Sequence, residues 1–211
     1  MAPLHRLRDR QEFLRLIGPE LSERLDLRRD AACGVWPDFT IAYVNPAWLR
    51  FARANGADGE FSSSWCEGAS FLDGIGGRLR EFYRSHLQAV LDGGAPWMSE
   101  YECSSPKLFR LYSMEVRRVG EGEALLVTHT RVVQCPHEQG VFLREPLDSA
   151  PWKDEHGLVH QCVHCRRVRR AGEAEQWDWV PQWVEHVPEF ATGSLCPHCV
   201  ATRYPELADQ A

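Results

Sequence analysis

The chain has 211 residues, 44% of them hydrophobic and 26% charged, with a formal net charge of -6. This composition is typical of a globular protein with one large or two small domains, and an acidic chain has little attraction for nucleic acids or anionic membranes. No run approaches the roughly 18 apolar residues of a membrane span, and the first ten residues are too polar for a signal peptide. We therefore expect a cytoplasmic protein with reduced thiols.

The first predicted element is an amphipathic helix over residues 8–28. Its apolar side chains recur at helical spacing, and Gly18-Pro19 predicts a kink or a break within it. We expect this helix to pack on the domain that follows; the alternative is that it pairs two copies of the chain in a homodimer. The apolar positions are Phe13, Leu14, Leu16, Ile17, Leu21, Leu25 and Leu27.

Two short strands and a second helix follow. Residues 32–36 and 40–44 are rich in strand-forming side chains. Asn45 is a suitable helix cap and Pro46 a suitable first helical residue, so a helix is predicted from that point to the residues before Asn55-Gly56.

The longest apolar stripe of the chain predicts a helix from Ile75 to Leu91. Three strands are predicted after it, and Gly120-Glu121-Gly122 predicts a hairpin between the last two. Tyr112, Met114 and Val116 alternate with polar residues, which indicates an antiparallel sheet with one buried face. The three predicted strands are residues 97–103, 109–116 and 124–133.

The order of two strands, helices and three antiparallel strands, together with three short motifs, resembles a PAS domain. The motifs are Tyr43-Val44-Asn45-Pro46-Ala47-Trp48-Leu49, Glu100-Tyr101-Glu102-Cys103-Ser104-Ser105-Pro106 with Phe109-Arg110, and Val127-Thr128-His129-Thr130. The resemblance covers roughly residues 30–133. It implies an α+β fold, in which an antiparallel five-stranded sheet carries helices on one face and the space between them can hold a small ligand.

Seven side chains are candidates to line such a cavity, and each would serve equally well in a packed core. Arg110 is the most informative, because an inward-facing arginine needs an anionic partner or ligand. His86 lies on the main helix, where a haem-binding PAS domain would hold its iron, so haem or another PAS ligand is an alternative. The candidates are Trp48, Phe51, Tyr83, His86, Tyr101, Arg110 and Met114.

Residues 134–157 are polar and proline-bearing, which predicts a linker whose segment Val141-Phe142-Leu143 packs on the sheet. Residues 158–207 contain two Cys-x-x-Cys pairs, each of which places two thiolates on one turn. Two such turns can close a tetrahedral four-sulfur shell around zinc. A module of ~50 residues buries too little apolar surface to be stable without such a staple. The predicted ligands are Cys162, Cys165, Cys196 and Cys199.

This segment resembles a small four-cysteine module that is often attached to bacterial PAS domains and signalling receivers. The features it keeps are a Cys-x-x-Cys-Arg-Arg-Val-Arg start, a tryptophan-rich middle expected to be helix or turn, and Leu-Cys-Pro-x-Cys followed by Tyr-Pro. It departs at Thr192-Gly193-Ser194, where that family usually has Ser-His-Gly. His164 and His198 are expected to lie outside the metal shell or in solvent, and His160 and His186 would substitute only for an absent cysteine.

Two alternatives remain open for the cysteine module. Cys196-Pro197-His198-Cys199 has the spacing of disulfide oxidoreductases, so the two pairs could form a thiol-based redox switch. The arginine-rich run over residues 166–170 could contact nucleic acid, as zinc knuckles sometimes do, although the acidic remainder of the chain favours a solvated face or a partner-docking patch. The other cysteines are expected to be buried and unreactive: Cys33, Cys66, Cys103 and Cys135.

No catalytic motif is recognisable in the sequence, neither a phosphate-binding glycine loop nor an arrangement of Ser, His and Asp. We therefore predict a non-enzymatic signalling protein that binds a small ligand or partner, relays its state by protein–protein contact with a signalling partner, and uses zinc as a structural metal. The predicted organisation is an N-terminal helical segment (1–29), a PAS-like sensory domain (30–133), a linker (134–157) and a four-cysteine module (158–207).

Overall fold

A computed structural model describes residues 9–54, 66–136 and 148–210, which form two compact units. Unit 1 is Met1–Ile75, Leu79–Ser99 and Met114–Thr130; unit 2 is Gly76–Arg78, Glu100–Ser113 and Arg131–Ala211. The helices are α1 (Arg10–Leu27), α2 (Pro46–Ala54), α3 (Leu79–Leu91), α4 (Pro181–Glu185) and α5 (Pro197–Arg203). The strands are β1 (Ala32–Val35), β2 (Ile41–Val44), β3 (Trp97–Glu102), β4 (Leu108–Val119), β5 (Ala124–Pro136), β6 (Val159–Cys162), β7 (Val168–Arg170), β8 (Glu173–Asp178) and β9 (Ala191–Ser194).

The first five strands form an antiparallel sheet in the order β2-β1-β5-β4-β3, which confirms the predicted α+β fold. In β1, Cys33 pairs with Val44 of β2 on one side and with Val127 of β5 on the other. The outer edge of β2 is covered by backbone, because the amide of Ile41 donates to the carbonyl of Ala69 at 2.8 Å. Strand β3 forms the other edge of this sheet.

Helix α1 packs on β1, β2 and β5, and the predicted packing of this helix on the following domain is confirmed. The Phe13 ring contacts Trp36 and Tyr43, with centroid separations of 5.7 and 5.8 Å. It lies over Gly34 so closely that a β-carbon there would overlap the ring. The predicted kink is present, since Gly18 has a φ of 76°.

The strand-to-helix junction is held by one buried amide, that of Asn45. Its Oδ1 accepts from the amides of Ala32 at 3.0 Å and Trp48 at 2.9 Å, and its Nδ2 donates to the carbonyls of Leu25 and Asp30, both at 3.0 Å. The side chain therefore uses all of its ordinary hydrogen-bonding capacity. It caps α2 as predicted and also ties α1 to β1.

Several boundaries differ from the prediction. Helix α3 begins at Leu79 and not at Ile75, because the residues before it include Gly77, whose φ of 56° is outside the helical region. A short 3-10 turn, Phe71–Gly74, precedes this stretch. Strands β4 and β5 extend beyond their predicted ends, to Val119 and Pro136. The predicted burial of Tyr112, Met114 and Val116 is confirmed.

Unit 2 contains a second sheet that the sequence did not predict, in the order β8-β7-β6-β9. Strand β6 pairs antiparallel with β7 and parallel with β9. The prediction that Trp177 belongs to a helix or turn is wrong, because it lies in β8; Trp183 lies in α4 as predicted. The small core of this unit consists of Val159, Val168, Val180 and Trp183, with Trp152 and Phe190 packed against them.

The predicted packing segment Val141-Phe142-Leu143 lies outside the described residues, as do the first eight residues and most of the loop after α2. Among the helices that are described, none is both long enough and apolar enough to cross a membrane.

Candidate metal centre

The two cysteine pairs are brought together by parallel strand pairing. Strands β6 and β9 lie side by side, with Cys162 in register with Ser194, so the turns after both strands lie at the same end of the sheet. The first turn, Cys162–Cys165, is the first knuckle, and the second turn, Cys196–Cys199, is the second knuckle. Each is a tight turn, closed by a hydrogen bond of 3.0 Å from the amide of Arg166 to the carbonyl of Cys162 and from that of Val200 to that of Cys196.

The four sulfur atoms have the spacing of a metal shell. All of them lie within 4.8 Å of one another, and the Sγ atoms of Cys165 and Cys196 are 3.7 Å apart. A tetrahedron with metal–sulfur distances of about 2.3 Å has sulfur–sulfur edges of about 3.8 Å, whereas a disulfide requires about 2.05 Å. Within the described residues, this is the one group of three or more His, Cys, Asp or Glu side chains that could hold a metal ion.

The sulfurs are shielded from solvent and hydrogen-bonded. The four residues are at most 2% exposed. The amide of Cys196 donates to the Sγ of Cys162, and that of Cys199 to the Sγ of Cys196, both at 3.4 Å. The hydrogen bond with Cys165, followed by those with Cys196 and Cys199, lowers the pKa of the Cys162 thiol, whereas hydrogen bonds with Cys162 and Cys165 raise the pKa of the Cys196 and Cys199 thiols. Four buried sulfurs, two of which accept hydrogen bonds from backbone amides, suit a divalent metal such as zinc, which binds cysteines as thiolates, and are inaccessible to bulky oxidants.

The two knuckle histidines occupy the same position of the motif but differ in their surroundings. His164 is 6% exposed, and its Nδ1 lies 2.7 Å from the hydroxyl of Tyr204. Its Nε2 accepts from the amide of Glu102 at 3.3 Å. Burial lowers the pKa of His164 to about 4, so its ring is neutral near pH 7. His198 is exposed. We expected each of these histidines to lie either outside the metal shell or in solvent. His164 is buried outside the shell, and His198 is in solvent.

His160 is held away from any metal by two neighbours. Its Nε2 lies 2.8 Å from the Oδ2 of Asp154, and its Nδ1 lies 3.2 Å from the Oγ of Ser194. The other Asp154 oxygen accepts the amides of His156 and Leu158, both at 2.9 Å. Because both ring nitrogens have partners, His160 is not free to replace a cysteine. The sequence did not predict this hydrogen-bonded chain, since Ser194 lies far from Asp154 and His160 in sequence.

The arginine-rich run is partly engaged within unit 2. The guanidinium of Arg170 forms an ion pair of 2.8 Å with Asp178. Burial lowers the pKa of Arg167, but its hydrogen bond with Cys165 and the charges of Cys165 and Glu102 together outweigh burial, so the pKa of the arginine is raised. Arg166 is exposed at the turn after the first knuckle, with a φ of 64°. The run therefore presents fewer free cations than the sequence suggested.

The candidate ligand-binding residues divide between the two units. In unit 1, Trp48, Tyr83 and Met114 are buried, and His86 is half-buried between Phe82 and Trp97, with ring centroids at 4.3 and 4.6 Å. Its Nδ1 lies 2.8 Å from the carbonyl of Phe82. The sequence did not single out Trp97, because one tryptophan at a strand start carries no motif.

Unit 2 holds the remaining candidates except Phe51, which is half-buried in unit 1. Tyr101 is stacked on Tyr112 with a centroid distance of 5.6 Å and an interplanar angle of 18°. Arg110 is half-buried on β4, in the same unit. The role of these side chains in ligand binding stays a prediction.

Comparisons with known proteins give partial structural likenesses only. No protein-family model matches the chain, and no curated protein matches it. Among solved structures, it is similar to the crystal structure of the phage VqmA–DPO complex, with a TM-score of 0.40 and 10% sequence identity. The match covers 58% of this chain and 54% of that chain, so the chain spans about half the length of the structure it matches.

Proposed function

We propose that this is a non-enzymatic, cytoplasmic signalling protein: a PAS-like domain binds a small ligand or a partner, and a structural zinc holds the four-cysteine module that docks to a further signalling protein. The metal assignment rests on the four buried sulfur atoms, which have the spacing of a tetrahedral shell. The sensory assignment is supported by the PAS-like motifs and by the five-stranded antiparallel sheet.

Zinc is the metal we propose for this shell, in a structural role. Four thiolates without a histidine or carboxylate leave no open position, which is the composition of a structural site and not of a catalytic one. Among the described residues of unit 2, one small apolar cluster has four buried members, and the four cysteines form another buried cluster. A metal that joins two strands and two turns supplies the stability such a core lacks.

Metal analysis of the purified chain tests the zinc assignment directly. We expect one zinc per chain, and less than one in Cys162→Ser and Cys199→Ser, because each removes a ligand. Cys135→Ser is the matched control and should retain the wild-type zinc content. The expectation that Cys135 is buried is wrong, because it is exposed, and it lies outside the cluster. Metal-free protein with a reversible disulfide between the knuckle cysteines would contradict the structural assignment and support the redox switch.

Ligand binding requires a separate experiment. The chain is saturated with cell extract, and native mass spectrometry identifies small molecules that remain bound. We expect a retained ligand of defined mass, which should be lost or weakened in Arg110→Ala or His86→Ala. A chain that retains no small molecule and binds no partner under these conditions would overturn the sensory proposal while leaving the zinc result unaffected.

A further inference from the structure

Strand β3 is an edge strand, so half of its backbone groups point away from the sheet. The amide of Cys103, just after β3, donates to the carbonyl of Arg110 at 3.0 Å and therefore points toward β4. Successive amides of an extended strand point to opposite sides. The amide of Glu102 consequently points away from β4, to the side where the sheet has no further strand. Amides at the edge of a sheet are normally covered or protected in folded proteins.

The partner of this edge amide belongs to the first knuckle. The Nε2 of His164 accepts the Glu102 N–H at 3.3 Å, and both residues lie in unit 2. Because Nε2 is the acceptor, the proton of the neutral ring is on Nδ1, which faces the hydroxyl of Tyr204 at 2.7 Å. Tyr204 is 1% exposed and its ring meets that of His164 edge-on at 5.3 Å.

A second contact joins the same strand to the end of α5. Arg203, next to Tyr204, forms an ion pair with Glu100 of β3. Both knuckles are therefore connected to β3: the first through His164, and the second through Arg203 at the end of α5, the helix that begins within the second knuckle.

We propose that the cysteine module caps the outer edge of β3, and that His164 is the positioning residue through which the first knuckle covers the Glu102 amide. His198, at the equivalent position of the second knuckle, has no such role. The link to the metal rests on the proposed zinc site, because His164 is fixed between Cys162 and Cys165 and its place follows the geometry of their turn. The module is therefore an edge cover for the sheet as well as a docking element.

Amide exchange at one residue tests this role in the full-length, 15N-labelled chain. In His164→Ala we expect the Glu102 amide to exchange roughly tenfold faster, the loss associated with one hydrogen bond of about 1.4 kcal/mol. His198→Ala is the matched control and should exchange at the wild-type rate. His164→Gln should restore protection in part, because its side-chain oxygen can accept the same N–H. Unchanged Glu102 exchange in His164→Ala would overturn the proposal.

A measurement on the unmodified chain keeps the test independent of mutant folding. Long-range 15N–1H spectra assign the tautomer of each histidine, and we expect His164 to carry its proton on Nδ1. A proton on Nε2 would be incompatible with an acceptor for Glu102 and would also overturn the proposal.

Metal content, measured on the same samples, separates this proposal from the zinc assignment. Suppose that the wild-type protein contains no zinc, but its Glu102 amide is protected and His164 carries its proton on Nδ1. This result would contradict the zinc assignment and support the proposal that His164 covers the edge of β3. Zinc-loaded wild-type protein with a rapidly exchanging Glu102 amide would support the zinc assignment and contradict the proposal that His164 covers the edge of β3.

Discussion

Two buried polar side chains of unit 1 show how burial acts at the scale of single residues. Asn45 is fully buried and its amide makes four hydrogen bonds, so its desolvation is compensated. His129 is buried at the middle of β5 beside Trp48, with a ring-centroid distance of 5.6 Å. Burial lowers the pKa of His129 to about 4. The two residues therefore respond differently to acid: Asn45 does not titrate, whereas His129 resists protonation only while the protein is folded.

We predict an acid-sensitive contribution from His129. Its pKa is about 4 in the folded chain and near the ordinary value of 6.5 when unfolded. The unfolded state therefore binds the proton first, and stability falls as the pH drops from 6.5 toward 4. Between pH 7 and 5 this costs about 2 kcal/mol, measured by urea unfolding. His129→Leu should lose that much less stability over the same interval.

His156→Gln is the control for the His129 experiment, because His156 has a side chain 74% exposed. It should show the wild-type pH dependence. Acid also weakens metal–thiolate bonds, but this effect is common to all three proteins and cancels in the comparison. Equal loss of stability in wild type and His129→Leu would contradict the prediction.

At the scale of elements, the contact between α1 and β1 depends on a glycine, Gly34, which has no side chain. The Phe13 ring is fully buried against Gly34, and a β-carbon at that position would overlap it. Helix α1 can therefore approach the sheet closely enough to bury β1 and β2 completely. The same arrangement recurs at the hairpin, where Leu16 lies over Gly120.

Gly34→Ala should force this helix away from the sheet and lower the free energy of unfolding by about 1–3 kcal/mol. Phe13→Leu removes the part of the ring that lies over the glycine, so the double variant should be less destabilised than the sum of the two single changes by about 1 kcal/mol or more. Gly76→Ala, whose β-carbon would lie 3.8 Å from Val163, is the control. Additive effects measured by urea unfolding would show that the ring and the glycine are not coupled.

The helices α1, α2 and α3 could be predicted from the sequence because their signals are local. The Asn45-Pro46 cap, the Gly18-Pro19 kink and the apolar stripe of α3 each depend on neighbouring residues. The late start of α3 was missed because the stripe extends across Gly76-Gly77. Strands β6 to β9 were missed because their short sequences are mostly polar or small and lack the strand-forming run seen in β2. In addition, β9 pairs with β6, a strand far away in sequence.

At the scale of the whole molecule, the cysteine cluster could be predicted from spacing alone, whereas its surroundings could not. Two Cys-x-x-Cys pairs specify four ligands wherever the chain folds. By contrast, His164 and His198 have equivalent sequence positions, and only tertiary packing makes one buried and the other exposed. The contact between His160 and Ser194 likewise depends on the register of β6 with β9.

Removing the metal should affect the two units unequally. Chelation under reducing conditions should increase hydrogen exchange across β6 to β9, since their small core shares unit 2 with the cysteine cluster. The core formed by α1, β1 and β2 should keep its protection, as measured by mass spectrometry of peptic peptides. Returning zinc should reverse the change. An equal increase in peptides from β1 and β2, or no increase anywhere, would contradict this prediction.

The parallel pairing of β6 with β9 also determines the order in which the strands of the second sheet can pair during folding. The antiparallel contact of β6 with β7 spans few residues and can form early, whereas a parallel partner must wait until the intervening β7, β8 and α4 are in place. During synthesis, Cys162 and Cys165 therefore precede the other two ligands by some thirty residues. A metal ion held by the first pair alone would remain exchangeable, and completion of its shell would be the last step in folding this part of the chain.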